Sequence, residues 1–216
     1  MIKQRFCCLF FLLVLLLSGC AGVSVVPRPD TAGQINAQEM SISQTYDQVS
    51  VTARVMDLEV RPYQMRQNIC SFLLKIRNER EQSVFFPAER FVLTDDQGNQ
   101  YRPVSPEQIA KMVAELDPYL IPYPYLGYYY EGDAEKATLE NQFNSQVTYF
   151  PLRDARAIAF EALPDGKIEA GSQISGLVYF LTDLRTMKSF TLQGSAVLAK
   201  GVKSADFSFP FNVIKN

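Results

Sequence analysis

Apolar and polar positions alternate along most of the chain. Val49, Val51, Ala53 and Val55 alternate with Ser50, Thr52, Arg54 and Met56, the signature of a strand with one buried face. Cys70, Phe72, Leu74 and Ile76 repeat the pattern after a polar stretch from Tyr63 to Asn68 that reads as a loop. Val84-Phe85-Phe86 forms a short strand stopped by Pro87, and Phe91 to Thr94 a further one. Asp95-Asp96-Gln97-Gly98-Asn99 then predicts a hairpin turn, with Gly98 supplying a positive φ, before Tyr101. Later, Lys167 to Ser172 is a short strand running into a turn, and Phe190 to Leu198 alternates again. In the last strand Phe207, Phe209, Phe211 and Val213 share one side. Pro210 places that strand at an edge or beside a bulge. Ile174 to Thr182 is nearly continuously apolar, which predicts a central strand covered on both faces, one cover coming from the segment described next.

Between residues 105 and 165 the period changes. Ser105-Pro106-Glu107-Gln108 is a helix start, with Ser105 as N-cap and Pro106 at the first helical position. Ile109, Met112, Val113 and Leu116 follow at helical spacing, and Asp117-Pro118 ends the helix. Six of the eleven tyrosines then fall between Pro118 and Tyr130: Tyr119, Tyr123, Tyr125, Tyr128, Tyr129 and Tyr130. Pro118, Pro122 and Pro124 forbid a helix there and disfavour a central strand, so the backbone is expected to be extended or polyproline-like. Tyrosine joins an apolar ring to a hydrogen-bonding tip, which suits a recognition surface for a protein or glycan. Packing of the same rings over an open face of the sandwich is the competing reading. Asp133 caps an expected second helix from Ala134 to about Asn144. The stretch from Asp154 to Leu163 fits either a short helix or a strand.

The N-terminus follows neither period. Lys3 and Arg5 precede an unbroken apolar run of 12 residues, Phe6 to Leu17, which is short for a membrane-crossing helix of about 20 residues. Leu17-Ser18-Gly19-Cys20 ends it. Small residues stand before a cysteine whose thiol can take a diacylglycerol thioether. This stretch resembles the signal of bacterial lipoproteins in every position of its L-S-G-C box. The resemblance implies cleavage between Gly19 and Cys20 and lipidation, including palmitate, at Cys20. Ala21 stands where an Asp would resemble an inner-membrane retention signal, which tilts the expectation toward the outer membrane. Two prolines and two glycines between Ala21 and Gly33 then read as a linker, so residues 20–46 are expected to form the lipidated cysteine and a flexible tether, with a short strand at Val23-Ser24-Val25-Val26 as the alternative for those four residues. The domain proper is residues 47–216, and a tether of about 25 residues reaches at most roughly 80 Å.

Composition narrows the chemistry. The 216-residue chain is 47% hydrophobic and 20% charged, ordinary for one globular domain. Its net charge of −2 argues against a nucleic-acid partner and gives no electrostatic reason to lie on an anionic membrane. It contains no histidine, so Ser-His-Asp, Cys-His and His-based zinc sites are excluded. No catalytic residue, metal site or cofactor is expected. Asp154 and Glu161 are an acidic pair with nothing to fix their separation. Asp95, Asp96 and Asn99 lack the spacing of a calcium loop. Processing leaves Cys70 as the single cysteine of the domain besides Cys20, and its phase with Phe72 and Leu74 makes it a small buried hydrophobe.

Some seven strands around a helical and Tyr/Pro-rich insert predict a mainly β fold, an antiparallel β-sandwich. Phe72–Asn78 (FLLKIRN), Phe91–Tyr101 (FVLTDDQGNQY) and Ile168–Phe180 (IEAGSQISGLVYF) resemble the immunoglobulin-like (telokin-like) modules of exported bacterial lipoproteins. Ala170-Gly171 stands here where those modules carry Pro-Gly, and the insert 105–165 separates the two halves. The resemblance implies an immunoglobulin-like fold and an envelope setting, and carries over no catalytic residue. The expected role is a non-enzymatic, lipid-anchored interaction module for an envelope protein or polymer. The alternative is a small-ligand or glycan site between insert and sandwich.

Overall fold

A computed structural model describes residues 23–58, 68–114, 120–123, 127–130, 155–198 and 203–215. Two antiparallel sheets pack face to face as an open sandwich. The five-stranded sheet runs in the order β12 (Gln173–Leu181), β5 (Ile69–Asn78), β4 (Val49–Asp57), β3 (Ser41–Tyr46), β2 (Gln34–Asn36). In the seven-stranded sheet, β1 (Val23–Pro27) pairs β14 (Lys203–Lys215), which pairs β13 (Ser189–Leu198). The first half of β13 carries β7 (Val92–Asp95), with β8 (Gln100–Tyr101) beyond it. Its last two residues carry β6 (Val84–Phe85), with β11 (Lys167–Ile168) beyond.

The alternation read from the sequence is the alternation that packs. Val49, Val51 and Ala53 of β4 and Phe72, Leu74 and Ile76 of β5 face Leu93, Phe190, Leu192, Phe207, Phe209 and Phe211 of the other sheet, all but fully buried. Phe72 meets Phe180 and Phe190 edge to face, at centroid separations of 5.6 and 5.7 Å. Phe86 stacks on Phe91 at 5.1 Å, a geometry that adds to simple burial. Gly194 is there to admit Phe91, because a Cβ at that position would stand 2.4 Å from the ring. Cys70 is buried among these residues, and burial pushes its thiol far above the usual range. Asn78 ends β5 fully buried. Its amide faces the carbonyls of Gln82, Ile168 and Glu169 at 2.9–3.1 Å, and its side-chain oxygen accepts from the Arg80 amide.

Four expectations are corrected. Residues 23–46 are not tether: they form β1, β2 and β3, and β1 pairs β14 from Val23↔Lys215 to Pro27↔Phe211. The main sheets accordingly hold twelve strands among the described residues, not about seven. β12 is an edge strand, not a central one, although both of its faces are covered. The fourth is corrected in part: β14 is interior over Phe211–Lys215, where β1 pairs it, but at Pro210 that side of β14 pairs no strand among the described residues. Pro210 is tolerated because β1 ends at Pro27, and the Pro210 carbonyl accepts from Arg28 just beyond that end.

The 105–165 segment carries helix α1 (Pro106–Ala114), a separate two-stranded sheet of β9 (Leu120–Tyr123) and β10 (Gly127–Tyr130), and helix α2 (Ala155–Glu161). Ser105 caps α1 as expected, its hydroxyl accepting from the Gln108 amide at 3.3 Å. The open choice for residues 154–163 resolves as helix. The signal segment 1–19, Gly19, Cys20, Tyr119, Tyr125, the Tyr63–Gln67 loop and the Asp133–Asn144 helix lie outside the described residues.

Candidate functional site

Strand β12 explains why the 105–165 segment sits where it does. Its inward residues Val178 and Phe180 join the inter-sheet core, while Leu177 and Tyr179 face the other way. Helices α1 and α2 cover that outer face with Ile109, Val113 and Ile158, together with Ile69 of β5. An edge strand also presents unpaired backbone groups, which must be satisfied or covered. Both roots of the segment do this. The Val104 amide donates to the Tyr179 carbonyl at 2.9 Å, and the Leu163 amide to the Leu177 carbonyl at 2.9 Å. Gly176 permits the second contact: a Cβ there would lie 2.4 Å from the Leu163 Cα and 2.5 Å from the Ala162 carbonyl oxygen.

The roots do not close over the strand completely. They leave a groove of about 590 Å³ along its edge. Val104, Leu163, Leu177 and Tyr179 form an apolar floor, with Pro103, Pro106 and Pro164 stiffening the walls. Phe160 stands at its side, 89% exposed at the end of α2. Glu89, Glu107 and Asp165 supply exposed carboxylates at the rim, and no Lys or Arg lines it among the described residues. The Tyr179 ring is buried and its hydroxyl donates to the Ile158 carbonyl at 3.4 Å, which ties the floor to α2. The arrangement can hold an apolar group beside positive charge.

Four of the six candidate tyrosines lie in the β9–β10 hairpin. Tyr123 is opposite Gly127, Tyr128 opposite Pro122, Tyr129 opposite Ile121 and Tyr130 opposite Leu120. Extended backbone was the expectation, and a hairpin accommodates Pro122 because a two-stranded sheet is all edge. Among the described residues it pairs with neither main sheet. Sequence reasoning missed Phe160, Glu89, Glu107 and Asp165. A signal existed for Phe160 alone: a large aromatic out of phase with Ile158 once the stretch is read as helix. The carboxylates come from three separated segments and converge only in space.

Two residues of the Asp95–Asn99 turn behave as read. Asp95 organises its turn, accepting from the Gln97 and Asn99 amides, the Asn99 side chain and the Tyr101 hydroxyl at 2.8–3.1 Å. Partial burial pushes its carboxyl up, but those hydrogen bonds outweigh it and hold the group below the usual carboxylate range. Gly98 takes φ 86° as expected.

No protein-family model matches this chain, and no curated protein matches it. Among solved structures it is similar to a candidate lipoprotein (ycdA) of Bacillus subtilis, at 12% identity and a TM-score of 0.42 over 77% of this chain and 37% of that one. It is similar to the yjhA protein of Bacillus subtilis at 12% identity and TM-score 0.40, over 77% and 93% of the two chains. It is also similar to MPT63, a secreted protein of Mycobacterium tuberculosis, at 13% identity and TM-score 0.33, over 76% and 87%. The chain spans about a third of the length of the first. Likenesses this shallow assign no function.

Proposed function

We propose that this chain is a lipid-anchored, non-enzymatic cell-envelope protein, an immunoglobulin-like (telokin-like) sandwich that serves as an interaction module on the periplasmic side of the outer membrane. Lipidation at Cys20 after cleavage behind Gly19 holds it there. The L-S-G-C box supports the anchor, and the absence of histidine from the whole chain supports the non-enzymatic role. The observation that carries the binding role is the groove on the β12 edge. An apolar floor, an almost fully exposed Phe160 and three rim carboxylates favour an envelope protein or polymer that presents positive charge beside an apolar group. Tyr119, Tyr123, Tyr125, Tyr128, Tyr129 and Tyr130 are a second candidate contact surface, proposed from the apolar ring and hydrogen-bonding tip that tyrosine brings to recognition.

Labelled palmitate is expected to be incorporated by the wild-type chain and not by Cys20→Ala; equal labelling refutes the anchor. A photo-crosslinker in place of Phe160 should trap a partner in cells that the same group at Tyr46 does not. Reversing Glu89, Glu107 and Asp165 to Lys together should abolish that product; identical products from all three proteins refute the groove. A second reading has its own support, because about 590 Å³ lies within the roughly 300–1,000 Å³ of small-ligand sites. Under that reading the crosslinker traps no macromolecule, and native mass spectrometry of the purified protein finds a small cationic or glycan ligand.

A further inference from the structure

We infer that the domain stands end-on upon the lipid surface, resting on the end of the sandwich that carries Met40, Met56 and Ile214. This rests on the proposal that Cys20 is lipidated. Strand β1 starts at Val23, already paired with Lys215 of β14. Only Ala21 and Gly22 separate Cys20 from Val23, so the anchored cysteine lies at most about 10 Å from the folded domain. A free tether to residue 46 would have reached roughly 80 Å and left the orientation open. The short reach removes that freedom.

The paired strands identify the end. Val23 meets the C-terminal end of β14, and β13 begins beside it at Ser189↔Asn212. The chain enters β13 from β12 through a 3-10 turn at Leu184–Thr186, so the C-terminal end of β12 lies here too. In the same sheet Leu181↔Ile69, Asp57↔Ser71 and Ile42↔Ala53 bring the start of β5, the end of β4 and the start of β3 to this end. Phe72 ties the two sheets together there by touching both Phe190 and Phe211.

Met56 is pushed outward because the register slips between Val55 and Asp57, leaving it as the extra residue of a bulge, 46% exposed. Met40 lies in the turn before β3 at 45%, and Ile214 near the end of β14 at 43%. Lys188 and Lys215 are exposed at the same end, and their aliphatic stems can lie along the interface while the ammonium groups stay in water. Exposed apolar side chains also occur at the far end, at Tyr46 and Phe85, so exposure alone does not choose between the ends. Chain reach chooses. With this end down, the groove on the β12 edge opens sideways along the membrane surface.

The test uses the full lipidated chain bearing an environment-sensitive fluorophore at Met56→Cys, Ile214→Cys or Phe85→Cys. Cys70 is buried and stays unlabelled in the folded protein. Phe85 pairs Val197, eight residues up β13 from Ser189, which is roughly 26 Å. Each protein is mixed with phosphatidylcholine–phosphatidylglycerol vesicles whose acyl chains are brominated or not. All three labelled proteins should float with the vesicles, and the label at 56 and at 214 should be quenched several-fold more than that at 85. Flotation with equal quenching, or stronger quenching at 85, overturns the end-on orientation while the anchor stands. Absence of flotation overturns the anchor and this inference with it.

Discussion

The five-stranded sheet buries two cores, one on each face, and they are built differently. The inner core lies between the sheets and holds phenylalanines placed by alternation along β5, β13 and β14, with Phe180 from the continuously apolar β12. The outer core is small: Ile69, Leu177 and Tyr179 on the sheet, and Ile109, Val113 and Ile158 on two helices separated by some forty residues of chain. The first core makes the sandwich. The second only docks a segment onto it, and does so at one edge of one sheet. A protein built this way can change much of its groove without changing its fold, because Val104, Leu177 and Tyr179 of the groove floor belong to the second core, while Leu163 belongs to the first.

Substitutions should separate the two. Phe72→Ala removes a ring that touches Phe180, Phe190 and Phe211 and should cost about 3–5 kcal/mol, lowering the global denaturation midpoint. A smaller loss, with the near-ultraviolet spectrum intact, would mean that the inner core can collapse around the gap. Gly176→Ala drives a methyl group into the backbone of Ala162 and Leu163 and should cost about 1–3 kcal/mol. Hydrogen exchange should quicken at the Leu163 amide and in α1 and α2, while β4, β13 and β14 keep their protection. Uniform loss across both sheets would show that the two cores unfold as one. Tyr179→Phe removes the hydroxyl that donates to the Ile158 carbonyl and should cost only about 0.5 kcal/mol, because the bond is long. Its effect should appear as faster exchange in α2 and nowhere in the inner core.

Strands β4, β5, β13 and β14 were legible because each carries four or more alternating apolar residues whose pattern is its own evidence. Helix α1 was legible from its cap. Strands β2 and β3 were not, and β1 was legible only as the short-strand alternative at Val23–Val26. Val23–Pro27 is short and ends in proline, and Gln34–Asn36 is wholly exposed, so neither shows an inward face of its own. The β3–β4 hairpin turns on Asp47 and Gln48, both at positive φ, where Asn-Gly would have signalled the turn. Arg80 holds that turn from another segment, bonding the Asp47 backbone carbonyl and its carboxylate. The compensating residue lies 33 positions away. At the site, the six tyrosines stood out by composition, while the groove they adjoin in sequence had no local mark.

The sequence by itself determined the half-buried strands, the capped helix, the Asp95–Asn99 turn and the apolar run ending at Leu17. Each of these is decided by residues within about ten positions of one another, through side-chain period, φ preference or capping. Only the tertiary structure decided that β12 is an edge strand and that the apparent tether is sheet. The gathering of Glu89, Glu107, Phe160 and Asp165 around one groove also had to wait for it. Those outcomes depend on which strand finds which partner, and pairing energy is shared between segments that are far apart in the chain. A strand covered on both faces has the same apolar run whether its neighbour is another strand or the two roots of a helical segment.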